Sequence, residues 1–284
     1  MSSSQPAHPP ALNGGGAGRA HGPVTTRRIG SFVLVDACGA LDDVAEPTYQ
    51  AVLRAAAEEP AAVICDLTGV VGGSPASATR LLASLGSEVR QWPGLAIAIA
   101  CPGARRRQAL ARAPEGQHLL LAEHRAVLLA QLGRRAVPEV VRMDLTPSAR
   151  LVRSARDLTT RALLDWGCPQ PIGPATLIVS ELVNNAILHA RTDLTVSVSR
   201  WGDLVRLAVH DATPERPVRR HEPTQVTGRG MLLVAALSQS WGVLPTSGGG
   251  KVVWAVLQAP PEDRSEHHLR LVDEADGQTE QRER

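Results

Sequence analysis

From Ser180 to Ala190 the chain reads Ser-Glu-Leu-Val-Asn-Asn-Ala-Ile-Leu-His-Ala, and no other segment constrains the fold as much. Leu177, Ile178, Leu182 and Ile187 recur at helical spacing, which predicts an amphipathic helix beginning near Pro174. Residues four apart share one face of a helix, so Glu181, Asn185 and His189 form a single polar row with Asn184 beside it. Such a row is ordinarily a solvated helix face. A carboxylate and a carboxamide one turn apart are also hard oxygen donors, suited to a hydrated magnesium ion and the nucleophile next to it.

The flanking sequence gives that row a setting. Val140 to Leu145 reads as a strand; Thr146 and Pro147 then cap and open a helix that runs to Trp166, where Gly167 and Pro169 stop it. Beyond the polar row, Leu194 to Arg200 and Leu204 to Asp211 alternate as two strands of a hairpin about Gly202-Asp203. Residues 212–227 contain three prolines, many charges and no apolar period, the composition of a functional loop. Gly228-Arg229-Gly230 opens a further apolar helix, expected to be closed by Trp241-Gly242. Gly248-Gly249-Gly250-Lys251 then leads into a strand from Val252 to Leu257.

In this order, from about Val140 to Leu257, the elements resemble the GHKL ATPase superfamily and, within it, the anti-sigma-factor serine kinases. Glu181, Asn185 and His189 match the E-L-x-x-N-A-x-x-H box, Asp211 matches the aspartate of the next box, and Gly228 with Gly230 match the glycine box. The resemblance implies ATP and Mg2+ as cofactors. It implies Asn185 as the metal ligand, Glu181 as the catalytic acceptor of a proton from the attacking hydroxyl, and Asp211 as the acceptor for the adenine amino group. Gly228 and Gly230 would let backbone N–H groups approach the phosphates at a helix start, and residues 212–227 would be the ATP lid. One departure is that Ala212-Thr213-Pro214 follows Asp211 where the superfamily has D-x-G-x-G. Lys251 is expected to be an exposed strand-end lysine rather than a phosphate ligand, and His189 to pack at the helix end.

The first half alternates differently. Strands are predicted at Ser31 to Ala37, Ala62 to Asp66 and Leu95 to Ala100, with helices at Val44 to Ala57, Ser77 to Arg90 and Glu123 to Leu132. Gly39-Ala40-Leu41-Asp42 and Asp66-Leu67-Thr68-Gly69-Val70 are similar to the G-x-L-D turn and D-L-S-x-V strand end of STAS domains, the fold of anti-sigma-factor antagonists. The resemblance places a phosphorylated serine in the next loop, where this chain has Ser74-Pro75-Ala76-Ser77. Proline at the acceptor register carries no hydroxyl; Ser74 and Ser77 lie close by and could serve, but Ser74 is read as a helix cap and the half as a docking or regulatory module.

The organisation expected is therefore a disordered leader over 1–24, a STAS-like domain over 25–135, an ATPase domain over 140–259 and a charged tail over 260–284. The class is α/β, a STAS-like sheet with covering helices followed by a GHKL-type two-layer sandwich. A chain of 284 residues has room for both domains. Aromatic residues make up only 2%, so the cores must rest on Leu, Val, Ile and Ala.

Composition narrows the partners. No apolar run approaches the roughly 18 residues of a membrane span, and the first residues lack the apolar core of a secretory signal, so a cytoplasmic protein without membrane contact is expected. A net charge of +2 does not call for direct nucleic acid binding, and Arg105-Arg106-Arg107 reads as a solvated loop. The four cysteines, Cys38, Cys65, Cys101 and Cys168, lack metal spacing, and buried thiols are expected. The function implied is an ATP-binding regulatory protein, a serine/threonine kinase acting on a partner STAS antagonist within a sigma-factor partner switch. The alternative is a non-catalytic nucleotide-binding protein that sequesters a sigma factor or antagonist. A homodimer is compatible with either.

Overall fold

The computed structural model describes residues 23–260 apart from 74, 91, 93, 147, 149, 190, 191 and 214–229. The expectations for the leader up to residue 22, for the tail from 261, for Ser74, for Gly228 and for most of the ATP lid lie outside the described residues, as does the side chain of His189.

In the first half, β1 (Val24–Ile29) and β2 (Phe32–Ala40) form a hairpin, and the chain then alternates α1 (Leu41–Ala57), β3 (Ala62–Val71), α2 (Ala76–Arg90), β4 (Ala96–Ala100), α3 (Ala104–Arg112), a 3-10 turn (Pro114–His118), β5 (Leu120–Ala122) and α4 (Arg125–Leu132). The sheet runs β1-β2-β3-β4-β5, with β2 to β5 parallel. Parallel strands are covered on both faces, which is why Ala-Ile-Ala-Ile-Ala in β4 is buried throughout. One face packs on α4 through Leu128 and Leu132; the other packs on α1 and α2.

In the second half come β6 (Glu139–Leu145), α5 (Leu151–Asp165), α6 (Ile172–His189), β7 (Leu194–Trp201), β8 (Leu204–Asp211), α7 (Gly230–Leu237), β9 (Ser240–Pro245) and β10 (Lys251–Gln258). The sheet order is β6-β7-β8-β10-β9, with every pairing antiparallel. Alternation along β8 sends Val205, Leu207 and Val209 into a core shared with Ile178, Val179 and Leu182 of α6. Both halves are thus α/β, as the patterning implied, and no described helix is long and apolar enough to cross a membrane.

The opposite face of this second sheet is not left to solvent. Ala208, Leu244, Val252, Trp254 and Val256 join a single core with α1, α2 and the first sheet. Helices α1 and α2 are therefore a layer common to two sheets. Trp92, after α2, meets Trp254 edge to face at 5.4 Å between ring centroids, and the Arg206 guanidinium lies 4.1 Å from the centre of the Trp92 ring. Beside them, Glu59 follows α1 in the left-handed region at φ 56, a conformation that costs a non-glycine residue about 1 kcal/mol or more. Its side chain, 2% exposed, reaches Arg206 at 2.6 Å, Ser197 at 2.7 Å and Arg142 at 2.9 Å.

Several local expectations fail for identifiable reasons. The helix expected to be capped by Thr146 starts only at Leu151, with Arg150 at its cap and no side-chain cap bond. Trp241-Gly242 lies within β9 rather than closing α7, because the Trp254 indole on the paired strand lies against Gly242: a Cβ there would come within 2.6 Å of the ring. Arg105, Arg106 and Arg107 form the first turn of α3, not a solvated loop. Arg106 is buried and donates to the carbonyls of Val70 and Gly72, and Arg107 donates to that of Cys101. Cys65, Cys101 and Cys168 are buried, but Cys38 in β2 is exposed; all four are free. On α6, Ile178 and Leu182 face the core while Leu177 is exposed. Strands β1 and β5, short or half-exposed, carry no alternation that would have revealed them.

Candidate functional site

Helix α6 extends from Ile172, two residues before the expected start, and the hydroxyls of Thr176 and Ser180 donate back to the carbonyls of Ile172 and Thr176 at 2.8 and 2.6 Å rather than reaching toward solvent. Ile178, Val179, Leu182, Val183 and Ala186 anchor it on the second sheet, so the polar row is held by the buried stripe. Glu181 and Asn185 emerge half-buried at the edge of that contact, while Asn184 is exposed.

Two of the sequence-predicted residues meet directly. Gly230 begins α7, and its Cα lies so close to Glu181 that a Cβ there would overlap the carboxylate Oε2 and stand 3.3 Å from Cδ. Only glycine leaves the carboxylate this position at a helix start, where backbone N–H groups point outward and favour anions. One turn along α6, the Nδ2 of Asn185 is buried without a hydrogen-bond partner among the described residues.

A further sequence-predicted residue is Asp211. It ends β8 on the helix-facing side of the sheet, and the chain leaving α6 returns to the same end, where the Ala212 N–H approaches Thr192 Oγ1 at 3.4 Å. The Asp211 carboxylate is buried. Its Oδ1 accepts from Lys251 Nζ at 2.9 Å and from the N–H and hydroxyl of Thr213 at 2.9 and 2.7 Å; its Oδ2 has no partner among the described residues. The turn that glycines make in the related box is made here by Thr213 bonding back to Asp211. A cleft of about 550 Å³ at this end is lined by Asp144, Thr146, Asp193, Thr195, His210 and Asp211, among others. Glu181, Asn185 and Gly230 do not line it. Residues 214–229, which contain Gly228, connect Thr213 to Gly230 and lie outside the described residues.

Lys251 corrects an expectation. It is 2% exposed rather than a solvated strand end, and besides Asp211 it donates to the Thr213 carbonyl at 3.1 Å and hydroxyl at 3.0 Å. The signal for this was present: Lys251 shares the alternation of Val253, Ala255 and Leu257, which face the core. Its pairing with Asp211 depends on the β8–β10 register and could not be read from either strand alone.

The residues fit a nucleotide. Asn185 Nδ2, a donor suited to a phosphate oxygen, and Asp211 Oδ2, an acceptor, are buried polar atoms without a partner among the described residues. Among the described residues no three His, Cys, Asp or Glu side chains form a metal cage. A metal here would take most of its ligands from phosphate and water, as magnesium does.

Residues 145–257 match the model of a family described as the histidine kinase-like ATPase domain. That match and the helix-on-sheet architecture support a GHKL-type ATPase domain in the second half. No curated protein matches the chain.

Proposed function

We propose that this protein is an ATP-dependent serine/threonine kinase of the anti-sigma type, phosphorylating a partner STAS antagonist in a sigma-factor partner switch. The observation that carries the reading is the juxtaposition of the Glu181 carboxylate with the start of α7 at Gly230, with Asn185 one helical turn away.

Magnesium ATP would supply the transferable phosphoryl group and neutralise the charge that develops on it. The rest falls to this chain. The amide oxygen of Asn185 would hold the metal, Asp211 Oδ2 would accept from the base, and Glu181 would take the proton of the acceptor hydroxyl as that hydroxyl's oxygen receives the γ-phosphoryl group and ADP leaves. Lys251 would keep Asp211 oriented from the neighbouring strand. The first half, similar in sequence to STAS domains but with Pro75 at the acceptor register, serves as a docking or regulatory module rather than a substrate.

A non-catalytic reading, in which nucleotide only sets the shape of a sequestering protein, is favoured by one feature: Asp211 Oδ1 is already saturated by Lys251 and Thr213. Titration calorimetry with ATP, with and without magnesium, beside transfer of labelled phosphate to candidate STAS proteins, separates the two. Binding with transfer supports the kinase. Binding without transfer to any acceptor supports the sequestering protein, and absence of binding removes both.

A further inference from the structure

Glu59 belongs to the first half, yet the side chains that its carboxylate meets all belong to the second. Oε2 accepts from Nε and Nη2 of Arg142 on β6 at 3.0 and 2.9 Å. Oε1 accepts from Ser197 on β7 at 2.7 Å and from Arg206 on β8 at 2.6 Å, and His210 Nε2 stands 3.8 Å away. One carboxylate thus ties three neighbouring strands together from beneath.

The register explains how it fits. Ser197 pairs with Arg142 on one side and with Ala208 on the other, and Arg206 and His210 flank Ala208 on the same face of β8. The smallest side chain of that stretch lies at the centre of the quartet, which leaves space for the incoming carboxylate. The backbone of Glu59 adopts its left-handed conformation to deliver it. On the same face lie Val252, Trp254 and Val256 of the shared core, and Trp92 stands over the Arg206 guanidinium. The residue after His210 is Asp211, projecting from the opposite face of the same strand.

We infer that the first half is a built-in clamp on the floor of the nucleotide site, with Glu59 as the positioning residue that fixes β6, β7 and β8 and thereby holds Asp211 in place. A signal that releases the first half would loosen the site without touching any residue on its ligand side. The inference rests on the nucleotide reading of Asp211 for its regulatory meaning, but the clamp itself has an independent readout.

The experiment uses the full chain, with Glu59→Gln, which keeps the shape and removes the charge, and Arg142→Gln, which removes only a half-exposed arm and leaves the Arg206 pair intact. Amide hydrogen exchange is followed at residues 205–211 and 251–257 against 175–186 of α6, and ATP is titrated with magnesium by calorimetry. Exchange at the strand ends should rise about tenfold in Glu59→Gln, and less in Arg142→Gln, while α6 stays protected. The ATP dissociation constant should weaken about tenfold with binding stoichiometry unchanged, a typical coupling between sites. A merely structural role would lower the stoichiometry and leave the dissociation constant alone, and that result overturns the proposal. So does unchanged exchange at the strand ends in both variants, or a rise spread evenly over α6. Should Glu59→Gln fail to fold, Arg142→Gln decides by the same criteria. If the parent binds no ATP, the nucleotide reading falls, and the exchange pattern alone upholds or overturns the clamp.

Discussion

Replacing Gly230 by alanine separates the fold from the chemistry at one atom. Alanine suits the helix better than glycine by up to about 1 kcal/mol, and the backbone of Gly230 is outside the left-handed region, so the helix start tolerates it. The new Cβ would overlap Glu181 Oε2 and stand 3.3 Å from its Cδ and 3.7 Å from its Cβ. The first of these atoms is the end of a flexible side chain, which swings away at a cost of about 0.5–1.5 kcal/mol. The two terms offset each other, so the net change in stability is expected to be within about 1 kcal/mol. The carboxylate, however, is displaced from the position at which it would take the hydroxyl proton. Losing a placed general base costs at least about 10²-fold in rate, equivalent to about 2.7 kcal/mol of transition-state stabilisation. Thermal unfolding, ATP titration and transfer of labelled phosphate to a STAS acceptor should together show unchanged melting and binding with turnover reduced about 100-fold. Turnover equal to the parent's would refute the role given to Glu181, and a large drop in melting temperature would refute the claim that only a side-chain terminus is in the way.

Other perturbations test the interior. Burial raises the Glu59 carboxyl, but the Arg206 guanidinium, His210 and the Ser197 hydroxyl outweigh it and hold the group far below its ordinary value of 4.5. Its contribution is therefore full above about pH 4.5 and fades as the pH falls further. Parent and Glu59→Gln should differ most near neutrality and converge in acid, and a constant gap in urea midpoints from pH 7 to pH 3 would contradict this. Lys251→Met leaves the Asp211 carboxylate buried without its cation and should cost about 3–5 kcal/mol in urea unfolding, with Lys251→Met/Asp211→Asn recovering part of it. Gly242→Ala drives a Cβ to 2.6 Å from the rigid Trp254 indole and should cost about 1–3 kcal/mol; a melting temperature equal to the parent's would mean that β9 is not held against that ring. Under native conditions iodoacetamide should modify Cys38 well before the other three cysteines, since burial pushes the thiols of Cys65, Cys101 and Cys168 up and hides them. Peptide mass spectrometry reads the order directly.

What the sequence could reveal follows from where its information lies. Helix α6, the β7–β8 hairpin and the parallel run through β2, β3 and β4 were legible because period 3.6, period 2 and continuous apolar segments are local signals carried by the residues themselves. The Glu181–Asn185 row was legible for the same reason, since spacing along one helix fixes a shared face. Where local signals were weak, the reading slipped. A cap motif at Thr146 did not start a helix, three arginines proved to be a helical turn with a buried guanidinium, and a Trp-Gly pair hid a strand whose glycine is demanded by a ring on its neighbour.

The sequence by itself therefore determined the strongly periodic elements and which polar residues share a helix face. Tertiary structure alone decided that Lys251 lies opposite Asp211, that Gly230 abuts Glu181, and that α1 and α2 serve two sheets at once with Glu59 pinned beneath β8. Those outcomes depend on strand register and on docking between segments 147 and even 189 residues apart. Such contacts are fixed by the joint packing of both cores and leave no periodic trace in either segment.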